Sequence, residues 1–566
     1  MALPYLTDSR RLTGPSLLLP GPGAIIEVEP PVEEASKLIS HWRYFMRGLH
    51  QRMGWKKQPI ATRRLGANAM LATAAPVDLL HLATYMNEWC WDAALCRLDG
   101  DRFESLAEAG ERYAGRAERR ANLRYRRLYS AANRRRVQLQ LGEGDISLGE
   151  GTHCKVWDID EVPDLRELDF STFRHWIPTA LITGTNGKTT TTRMLAKILI
   201  AAGHNPGFCS TDVVQVGDEI VDRNDYSGPG GARAVLRHPD TTAAILETAR
   251  GGLLRRGLQV RYADVGVVTN VGDDHLGDLG INTVEQLAEV KFLIQHGLAA
   301  GAPMVVNAED VHCRRHARRM KRPVIWFSLR PPSVKLLAGT QRPAGVMTVR
   351  EGRLHFERGR KRLALIAADA IPACHGGSAT HNIANALAAA AAALAMKVPP
   401  EAINQALSEF GSDPKDNPGR ATLFNIAGAT VLMDFGHNPE GVRAVFNIAE
   451  GLPRERLLVS FGQAGDRTDQ ALRDLSDALA DQKPDRVIVK EMNKYHRGRE
   501  AGEIPTLLRG QLLARGLVED QLAQARSEDE VLAQTLEWLQ PGDLAILFVH
   551  SDIERISDEL SRLSNP

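Results

Sequence analysis

A glycine-rich turn between an apolar run and an amphipathic run constrains this chain more than any other stretch. The turn lies within the segment I-T-G-T-N-G-K-T-T-T-T at positions 182–192. The apolar residues 177–182 predict a buried strand, and residues 188–202 have the apolar spacing of a helix. A strand, a glycine-rich turn and a helix in this order present backbone N–H groups and a helix N-terminus to phosphate oxygens. The sequence therefore predicts a phosphate-binding loop.

Within this loop, each residue type has a chemical reason. The side chain of Lys188 is expected to reach the β- and γ-phosphates of a nucleotide, and the hydroxyl of Thr189 is expected to bind Mg²⁺. The pattern is the shortened form G-x-x-G-K-T, because the longer form would need glycine where Ile182 stands. A strand, turn and helix without a ligand is the alternative. The residues expected to bind the nucleotide are Gly184, Thr185, Asn186, Gly187, Lys188, Thr189 and Thr190.

Composition and charge fit a globular enzyme of about three or four structural units in a chain of 566 residues. A formal net charge of +1 gives no general attraction to nucleic acid or to anionic membranes. The six cysteines are scattered without a C-x-x-C pair, which favours a reducing compartment. Because the sequence has neither a signal peptide nor a run of about 18 apolar residues, we expect a cytoplasmic protein without a membrane span.

The order of apolar and helical patterns predicts the domain organisation. Strand and helix patterns alternate across residues 171–412 and again across residues 413–566, which favours α/β domains. Residues 1–170 predict a mixed N-terminal domain, for which substrate or peptide binding is one role. Short antiparallel strands are predicted within residues 345–366, and residues 411–419 have the composition of a linker. The expected fold class is α/β, with a mostly parallel sheet in the central P-loop domain and a Rossmann-like C-terminal domain.

Several further motifs follow the loop along the chain. They are E-T-A-R-G-G at 247–252, T-N-V-G-D-D-H at 269–275, H-N-I-A-N at 381–385, P-G-R at 418–420 and D-F-G-H-N-P at 434–439. Together with the loop, these motifs resemble the Mur ligase superfamily, and the E-T-A-R-G-G motif is similar to the C-terminal module of cyanophycin synthetases. The resemblance covers residues 177–500.

The resemblance implies an ATP-dependent, ADP-forming ligase. Members of the superfamily move the γ-phosphate of ATP onto a carboxylate, and an amine then attacks the acyl phosphate to form an amide bond. By resemblance, Lys188 is catalytic, and Glu247 and His275 bind Mg²⁺ together with Thr189 and serve in catalysis. Ordinary structural or surface roles are the alternatives for Glu247 and His275. Lys291 is similar to a catalytic-site lysine that is carbamylated in many members, and a solvent-facing helix lysine is the alternative.

The resemblance also implies nucleotide contacts in later motifs. Asn382 matches an asparagine that reads the adenine edge, and helix capping is a second role for it. Arg420 and Asp434 match residues that contact the phosphates and ribose of ATP. The superfamily pattern D-Y-A-H-N-P differs here at Phe435 and Gly436, and neither position carries those polar contacts. Because these groups come from two domains, the resemblance implies that ATP promotes domain closure.

The substrate that the resemblance suggests is a peptide with aspartate side chains, to which arginine is joined through its α-amino group. A guanidinium substrate needs paired carboxylates. The candidate carboxylates are Asp466, Asp469, Glu491 and Glu503. Cyanophycin synthetases also carry an ATP-grasp module, for which the roughly 170 residues before the loop are too few. Residues 142–151 are either the hairpin where that module would be inserted or an ordinary pair of turns.

An arginine-dense segment at residues 112–136 contains ten arginines. A solvated helix with a narrow buried stripe is one interpretation of it. A tether for an acidic peptide is another, which we rank above nucleic acid because no nucleic-acid-binding motif accompanies it. Three functions stay open: a ligase of the cyanophycin-synthetase type, a Mur-type ligase with other acid and amine substrates, and a non-catalytic partner that binds nucleotide or nucleic acid. A homo-oligomer is compatible with each.

Overall fold

The structure is a computed structural model that describes residues 4–65, 68–173, 176–273, 276–333, 337, 339–340, 342–465 and 467–564. The chain forms two compact units. The first comprises Met1–Trp326, Pro332–Gly345 and Ala391–Val398, and the second comprises Phe327–Pro331, Val346–Ala390 and Pro399–Pro566. Among the described residues, we find no helix whose length and apolar content would let it cross a membrane.

The first unit begins with an antiparallel sheet of four strands in the order β1-β2-β4-β3. The strands are β1 (Leu6–Leu12), β2 (Gly23–Val28), β3 (Ile60–Leu65) and β4 (Asn68–Ala74). Four helices accompany this sheet in sequence: α1 (Ala35–Arg52), α2 (Leu80–Asp99), α3 (Leu106–Arg120) and α4 (Leu123–Arg135). The apolar sides of α1 and α2 meet in a core that contains Trp42, Met46 and Trp91, each fully buried.

A small three-stranded antiparallel sheet follows, with strands β5 (Leu139–Leu141), β6 (Asp145–Leu148) and β7 (Lys155–Asp158). Strands β5 and β6 form a hairpin across residues 142–144, within the stretch that the sequence marks as turn-rich. The hairpin packs with α4 around Tyr125, Leu128 and Ile146, which are buried.

The main sheet of the first unit has the loop-bearing strand at its centre. Its strands are β8 (Thr179–Thr183), β9 (Pro206–Cys209), β10 (Val214–Val216), β11 (Glu219–Asp222), β12 (Ala243–Glu247), β13 (Val265–Val268), β14 (Met304–Asn307) and β15 (Val324–Ser328). They lie in the order β11-β10-β9-β12-β8-β13-β14-β15. Strands β9, β12, β8, β13 and β14 are parallel neighbours, as the alternating pattern predicts.

Helices connect these strands: α5 (Lys188–Ala201), α6 (Pro229–Arg237), α7 (Arg250–Arg256), α8 (Val284–Lys291) and α9 (Val311–Arg319). The predicted strand and helix around the glycine-rich turn are confirmed to within two residues at each end. Helix α8 ends at Lys291, and the chain continues from it as a 3₁₀-helix over Phe292–Gly297.

Beyond β15 the predicted antiparallel strands are confirmed as β16 (Pro343–Arg350), β17 (Arg353–Arg358) and β18 (Lys361–Ala367), with registers such as Thr348 opposite His355. Helices α10 (Thr380–Ala395) and α11 (Pro400–Glu409) follow. The alanine-rich run of α10 is buried along most of its length, so it is a packed helix of the protein interior.

The second unit contains a six-stranded sheet in the order β19-β20-β24-β21-β22-β23, with parallel pairing throughout except between β19 and β20. The strands are β19 (Thr422–Ile426), β20 (Ala429–Asp434), β21 (Leu457–Phe461), β22 (Arg486–Lys490), β23 (Leu522–Ala525) and β24 (Leu544–Phe548). The helices are α12 (Pro439–Glu450), α13 (Asp469–Ala480), α14 (Glu503–Ala514), α15 (Glu528–Trp538) and α16 (Ile553–Ser564).

Candidate active site

The glycine-rich loop (residues 184–187) joins the carboxyl end of β8 to the first residue of α5. At Gly184, an added Cβ would lie 1.8 Å from Thr269 Oγ1, so no larger residue fits without displacing that side chain. Gly187 caps α5 with a φ of 81°, a left-handed conformation that glycine adopts at little cost. The two glycines therefore let the backbone turn tightly and aim the first N–H groups of α5 outward.

Residues just after β13 hold this loop in place. Asn270 Oδ1 accepts a hydrogen bond from Asn186 N at 2.8 Å, and Asn270 Nδ2 donates to Asn186 O at 3.0 Å. Thr269 Oγ1 donates to Asn186 O at 2.6 Å. The hydroxyl of Thr185 accepts from Gly272 N at 3.0 Å. The T-N-V-G motif thus fixes the loop backbone, a role that the sequence reasoning did not assign to it.

Lys188, Thr189 and Glu247 meet at the carboxyl edge of the main sheet. Glu247 ends β12, pairs in register with Ile182 of β8, and is 1% exposed. Thr189 Oγ1 donates a hydrogen bond to Glu247 Oε2 at 3.0 Å. Lys188 Nζ lies 4.0 Å from Glu247 Oε1 and donates to Thr185 O at 3.0 Å. A buried carboxylate, a hydroxyl and an ammonium group therefore converge beside the loop.

Thr211 and Asp212 extend this cluster and were missed by the sequence reasoning. Thr189 Oγ1 lies 3.4 Å from Thr211 Oγ1, which donates to Asp212 Oδ1 at 2.7 Å. Arg193 of α5 forms an ion pair with Asp212 at 3.1 Å. The only signal for them was that they follow a strand at the ligand-binding edge of a parallel sheet.

Lys291 lies at the end of α8, yet its side chain is buried rather than solvent-facing. Its exposure is 4%, and Nζ donates a hydrogen bond to Gly184 O at 2.7 Å. The alternative of an exposed helix lysine is therefore wrong for this residue. The predicted ligand His275 lies outside the described residues.

In the second unit, Asn382 lies in the first turn of α10 and is 2% exposed. Its Nδ2 donates to Ala373 O at 2.8 Å, and its Oδ1 accepts from Asn385 Nδ2 at 3.2 Å. Burial lowers the pKa of the neighbouring His381 to about 4, so its imidazole is neutral at pH 7. These contacts orient the Asn382 amide from both of its ends.

Asp434 and Arg420 lie together at the carboxyl end of β20. Asp434 accepts hydrogen bonds from Ala421 N at 2.7 Å and from Gly436 N at 2.6 Å. Burial raises the pKa of Asp434, while the charge of Arg420 opposes that rise. The Arg420 guanidinium lies 4.2 Å from the ring centre of Phe435, so the residue that departs from the superfamily pattern supplies a cation–π contact.

A buried polar network supports Phe435 and Gly436, which follow β20. The sequence reasoning did not predict this network either. Lys490 Nζ donates to Glu528 Oε1 at 2.6 Å, and the same carboxylate oxygen accepts from His550 N at 3.0 Å. His550 Nε2 lies 3.2 Å from Gly436 O, and the rings of His550 and Phe435 pack edge to face with centres 5.2 Å apart. The network therefore positions Phe435 under Arg420.

The candidate carboxylates for a guanidinium contact groups of the chain itself. Asp469 and Glu503 accept from the guanidinium of Arg499 at 2.7 and 2.8 Å. Glu491 accepts from Gly502 N at 2.8 Å and lies 3.1 Å from His496 Nε2. Asp466 lies outside the described residues. A substrate guanidinium at Asp469 and Glu503 would replace Arg499.

The fold and this edge of the sheet define a P-loop α/β protein. Two family models match the chain, the Mur ligase middle domain over residues 182–393 and the glutamate ligase domain of Mur ligases over residues 419–548. A UDP-N-acetylmuramate–L-alanine ligase from Xylella fastidiosa is 30% identical over 407 residues, which are 69% of this chain and 74% of that protein. The chain belongs to the Mur ligase family.

Cyanophycin synthetases are similar over the same region. Those of Geminocystis herdmanii and Synechocystis sp. are 36% and 37% identical over 381 and 379 residues. In each case the match covers 66% of this chain and 42% of the relative. The chain therefore spans less than half the length of these relatives.

Solved structures agree with the fold. Escherichia coli FolC in complex with ADP has a TM-score of 0.50 at 17% identity, covering 68% of this chain and 89% of that one. A bifunctional folylpolyglutamate synthase/dihydrofolate synthase with Mn, AMPPNP and L-glutamate bound has a TM-score of 0.50 at 18% identity, with the same coverage.

Proposed function

We propose that this protein joins a carboxylate to the amine of an amino acid with hydrolysis of ATP to ADP and phosphate. The observation that carries the proposal is the convergence of Lys188, Thr189 and Glu247 beside the glycine-rich loop. Phosphoryl transfer requires positioning and charge neutralisation rather than covalent chemistry from the protein. The ammonium group and the helix N-terminus supply positive charge and N–H donors for phosphate, and the buried carboxylate supplies a ligand for a divalent cation.

The donor set of this edge fits a hard divalent cation. Thr189 Oγ1 and Glu247 Oε2 are oxygen donors 3.0 Å apart, and oxygen ligands are those that Mg²⁺ prefers. We propose that Thr189, Glu247 and His275 hold Mg²⁺, whose chemistry there is to neutralise charge on the phosphate oxygens. The Mn and AMPPNP in the folylpolyglutamate synthase support a metal–nucleotide site of this kind.

The residues of this chain then have separate roles. The N–H groups of residues 185–190 hold the phosphates, and Lys188 stabilises the charge on the γ-phosphoryl group as it passes to the substrate carboxylate. The amine attacks the resulting acyl phosphate, the C–O bond to phosphate breaks, and the amine loses a proton. Lys291, through Gly184 O, keeps the loop in position, and a carbamate on its nitrogen would retain one N–H for that bond.

In the second unit, we propose that Asn382 contacts the adenine and that Arg420 and Asp434 contact the phosphates and ribose of ATP. Their placement is consistent with this role in one respect: each is held by neighbours in a defined orientation. Phe435 carries the Arg420 guanidinium, and two backbone N–H groups hold Asp434.

For the substrates, we favour a peptide with aspartate side chains as the acid and arginine as the amine. The identity to cyanophycin synthetases over 66% of the chain supports this choice. Asp469 and Glu503 are paired with Arg499, so a substrate guanidinium that binds there would displace that residue. A Mur-type ligase with another acid and amine is the second candidate, favoured by the 30% identity to a UDP-N-acetylmuramate–L-alanine ligase.

An ADP-release screen tests the proposal. Amino acids are combined with aspartyl peptides, with UDP-N-acetylmuramate and with simple carboxylic acids, and the products are identified by mass spectrometry. ADP release that depends on one acid–amine pair and yields the amide supports the ligase, and the pair identifies the substrate class. Tight nucleotide binding without turnover for any pair would instead support a non-catalytic nucleotide-binding protein. The matched control is Lys188→Ala, which should bind the substrates without releasing ADP.

A further inference from the structure

The turn that connects β9 to β10 lies beside the candidate active site. Ser210 N donates a hydrogen bond to Val213 O at 2.9 Å, so Thr211 and Asp212 are the two central residues of this turn. Strand β9 is the parallel neighbour of β12, whose last residue is Glu247. The carboxyl ends of the two strands therefore bring the turn next to the buried carboxylate of the site.

Backbone preference alone does not set the conformation of this turn. The favoured two-residue turns of β-hairpins need a positive φ at one or both central residues. Neither Thr211 nor Asp212 has a positive φ. Side chains supply contacts instead. Ser210 is fully buried, and its Oγ accepts a hydrogen bond from Val213 N at 3.3 Å. The turn therefore depends on side-chain contacts for its position.

Arg193 of α5 makes the longest of these contacts along the chain. It lies four residues after Thr189, so both side chains project from the same side of the helix. Arg193 is 8% exposed, and its guanidinium lies 5.4 Å from the ring centre of Phe208 in β9. Its Nη2 donates a hydrogen bond to Asp212 Oδ2 at 3.1 Å. The ion pair thus ties the helix that begins with the glycine-rich loop to the turn after β9.

Stability alone is a poor explanation for an ion pair at this place. The side chains of Arg193 and Asp212 are 8% and 25% exposed, so both charges have lost much of their contact with water. Apolar residues in place of a buried ion pair are often equally stable, because the desolvation of two charges offsets their attraction. The pair is better explained by the position that it gives to a neighbouring group.

That group is the hydroxyl of Thr211. Its Oγ1 donates its single proton to Asp212 Oδ1 at 2.7 Å. Thr189 Oγ1 donates its own proton to Glu247 Oε2 at 3.0 Å, and the two hydroxyl oxygens lie 3.4 Å apart. Because both protons are used in other hydrogen bonds, the electron pairs of both oxygens are left for a third partner. A hard divalent cation is a partner that takes electron pairs from oxygen.

We propose that Arg193 and Asp212 are positioning residues that orient the Thr211 hydroxyl toward a divalent cation. The inference rests on the proposed function, since the cation is the one proposed at Thr189 and Glu247. Arg193 fixes one carboxylate oxygen of Asp212, and the other carboxylate oxygen takes the proton of Thr211. The Thr211 oxygen is thereby presented as an electron-pair donor. Residues that orient ligands in this way tune metal affinity although they do not touch the metal.

Electron paramagnetic resonance of Mn²⁺ bound to the full-length protein with saturating AMPPNP tests the proposal without substrate or turnover. In Arg193→Met and in Asp212→Ala we expect the affinity for Mn²⁺ to fall at least about tenfold. Arg193→Lys keeps the positive charge and should recover part of the loss. Arg47→Met removes an arginine from an exposed position of α1, and as the matched control it should bind Mn²⁺ within about twofold of wild type.

A double-mutant cycle separates this role from a general loss of structure. Thr211→Val removes the hydroxyl, and we expect it to lower the affinity for Mn²⁺ at least about tenfold as well. If Asp212 acts through that hydroxyl, Asp212→Ala/Thr211→Val should bind Mn²⁺ within about twofold of Thr211→Val. The affinity for mant-ADP in EDTA should stay within about twofold of wild type in every variant, because Thr269 and Asn270 hold the glycine-rich loop.

Equal Mn²⁺ affinity in wild type, Arg193→Met and Asp212→Ala would overturn the proposal. Additive losses in the double variant would also overturn it, because Asp212 would then act by a route other than the Thr211 hydroxyl. A fall in mant-ADP affinity that matches the fall in Mn²⁺ affinity would show a general structural role instead. Each of these results leaves the ligase proposal standing. Absence of Mn²⁺ binding in wild type would contradict the proposed cation site itself, and this inference with it.

Discussion

Thr189 Oγ1 donates a hydrogen bond to Glu247 Oε2 at 3.0 Å, which joins the first turn of α5 to the end of β12. Because both residues lie at the carboxyl edge of parallel strands, this contact marks the place where such sheets bind ligands. It also brings two oxygen donors together in a site where the carboxylate is buried.

Removal of either charge at this edge should abolish turnover without unfolding the protein. For Lys188→Ala and Glu247→Ala we expect rates to fall by at least about 100-fold. Lys188→Ala removes a positive charge from the transferred phosphoryl group, and Glu247→Ala removes a ligand of the proposed Mg²⁺. Initial rates of ADP release, with circular dichroism as the check on folding, measure the effect. Arg473→Ala, at an exposed position of α13, is the control for loss of a charge. Near-normal rates in either site variant would contradict the assignment.

Gly184→Ala should lower nucleotide affinity by steric displacement of the loop. The new Cβ would stand 1.8 Å from Thr269 Oγ1, so the two atoms must move apart by more than about 1 Å. We expect at least about a tenfold loss of AMPPNP affinity by calorimetry, partly recovered in Gly184→Ala/Thr269→Ala. Thr269→Ala alone loses its hydrogen bond to Asn186 O and should cost less. No recovery in the double variant would show that the steric argument is wrong.

The sequence identifies those residues of the candidate site whose positions are set by a local pattern of strands, glycines and helix starts. Lys188 and Thr189 follow from a strand, two glycines and a helix start, and Glu247 follows from the end of the next strand in the sheet. Thr211 could not be found in this way, because a polar residue after a strand is common. Lys490 lies 38 positions from its partner Glu528, and His550 lies 114 positions from Gly436, so only the tertiary fold brings them together.

Removal of one partner of the buried Lys490–Glu528 ion pair should lower the free energy of unfolding. Lys490 and Glu528 are 1% and 6% exposed. Lys490→Met leaves a buried carboxylate without its partner, and we expect a loss of about 3–5 kcal/mol in the free energy of unfolding of the second unit. Lys490→Met/Glu528→Leu removes both charges and should lose less. Urea unfolding followed by fluorescence measures this difference, with Arg473→Met as an exposed control. Equal losses in the single and double variants would contradict the argument.

Glu150 should make stability fall as pH rises. Burial raises the pKa of Glu150 to about 8, and the charge of Asp264 adds to the rise. Between the unfolded pKa of 4.5 and the folded value, the folded chain keeps a proton that the unfolded chain has lost. Stability therefore decreases across this window by up to about 1.4 kcal/mol per pH unit and is fully present below it.

Glu150→Gln keeps the shape of the side chain and removes the titration. We expect its melting temperature to be higher than that of wild type at pH 8 and nearly equal to it at about pH 4.5, where Glu150 is protonated in the folded chain. Differential scanning calorimetry at the two pH values measures this, with the exposed Glu161→Gln as the control. Parallel pH profiles for wild type and Glu150→Gln would show that Glu150 does not titrate in this window.

Contacts between residues distant in sequence also limited the prediction of the fold. The arginine-dense segment suggests one solvated helix, but the structure has two, α3 and α4, with a break at residues 121–122. No proline or glycine marks this break. It arises because Asn122 caps α4 and because its backbone N–H bonds to Asp78, which lies 44 positions earlier in the chain.

The central claim is that the glycine-rich loop, Thr189 and Glu247 form the site where ATP energises an acid. A crystal structure with AMPPNP and magnesium tests it most directly. We predict β- and γ-phosphates against the N–H groups of residues 185–190, Lys188 Nζ on the phosphate oxygens, and the metal ion on Thr189 Oγ1 and Glu247. A nucleotide bound elsewhere, or a loop left without phosphate at saturating AMPPNP, would contradict the account.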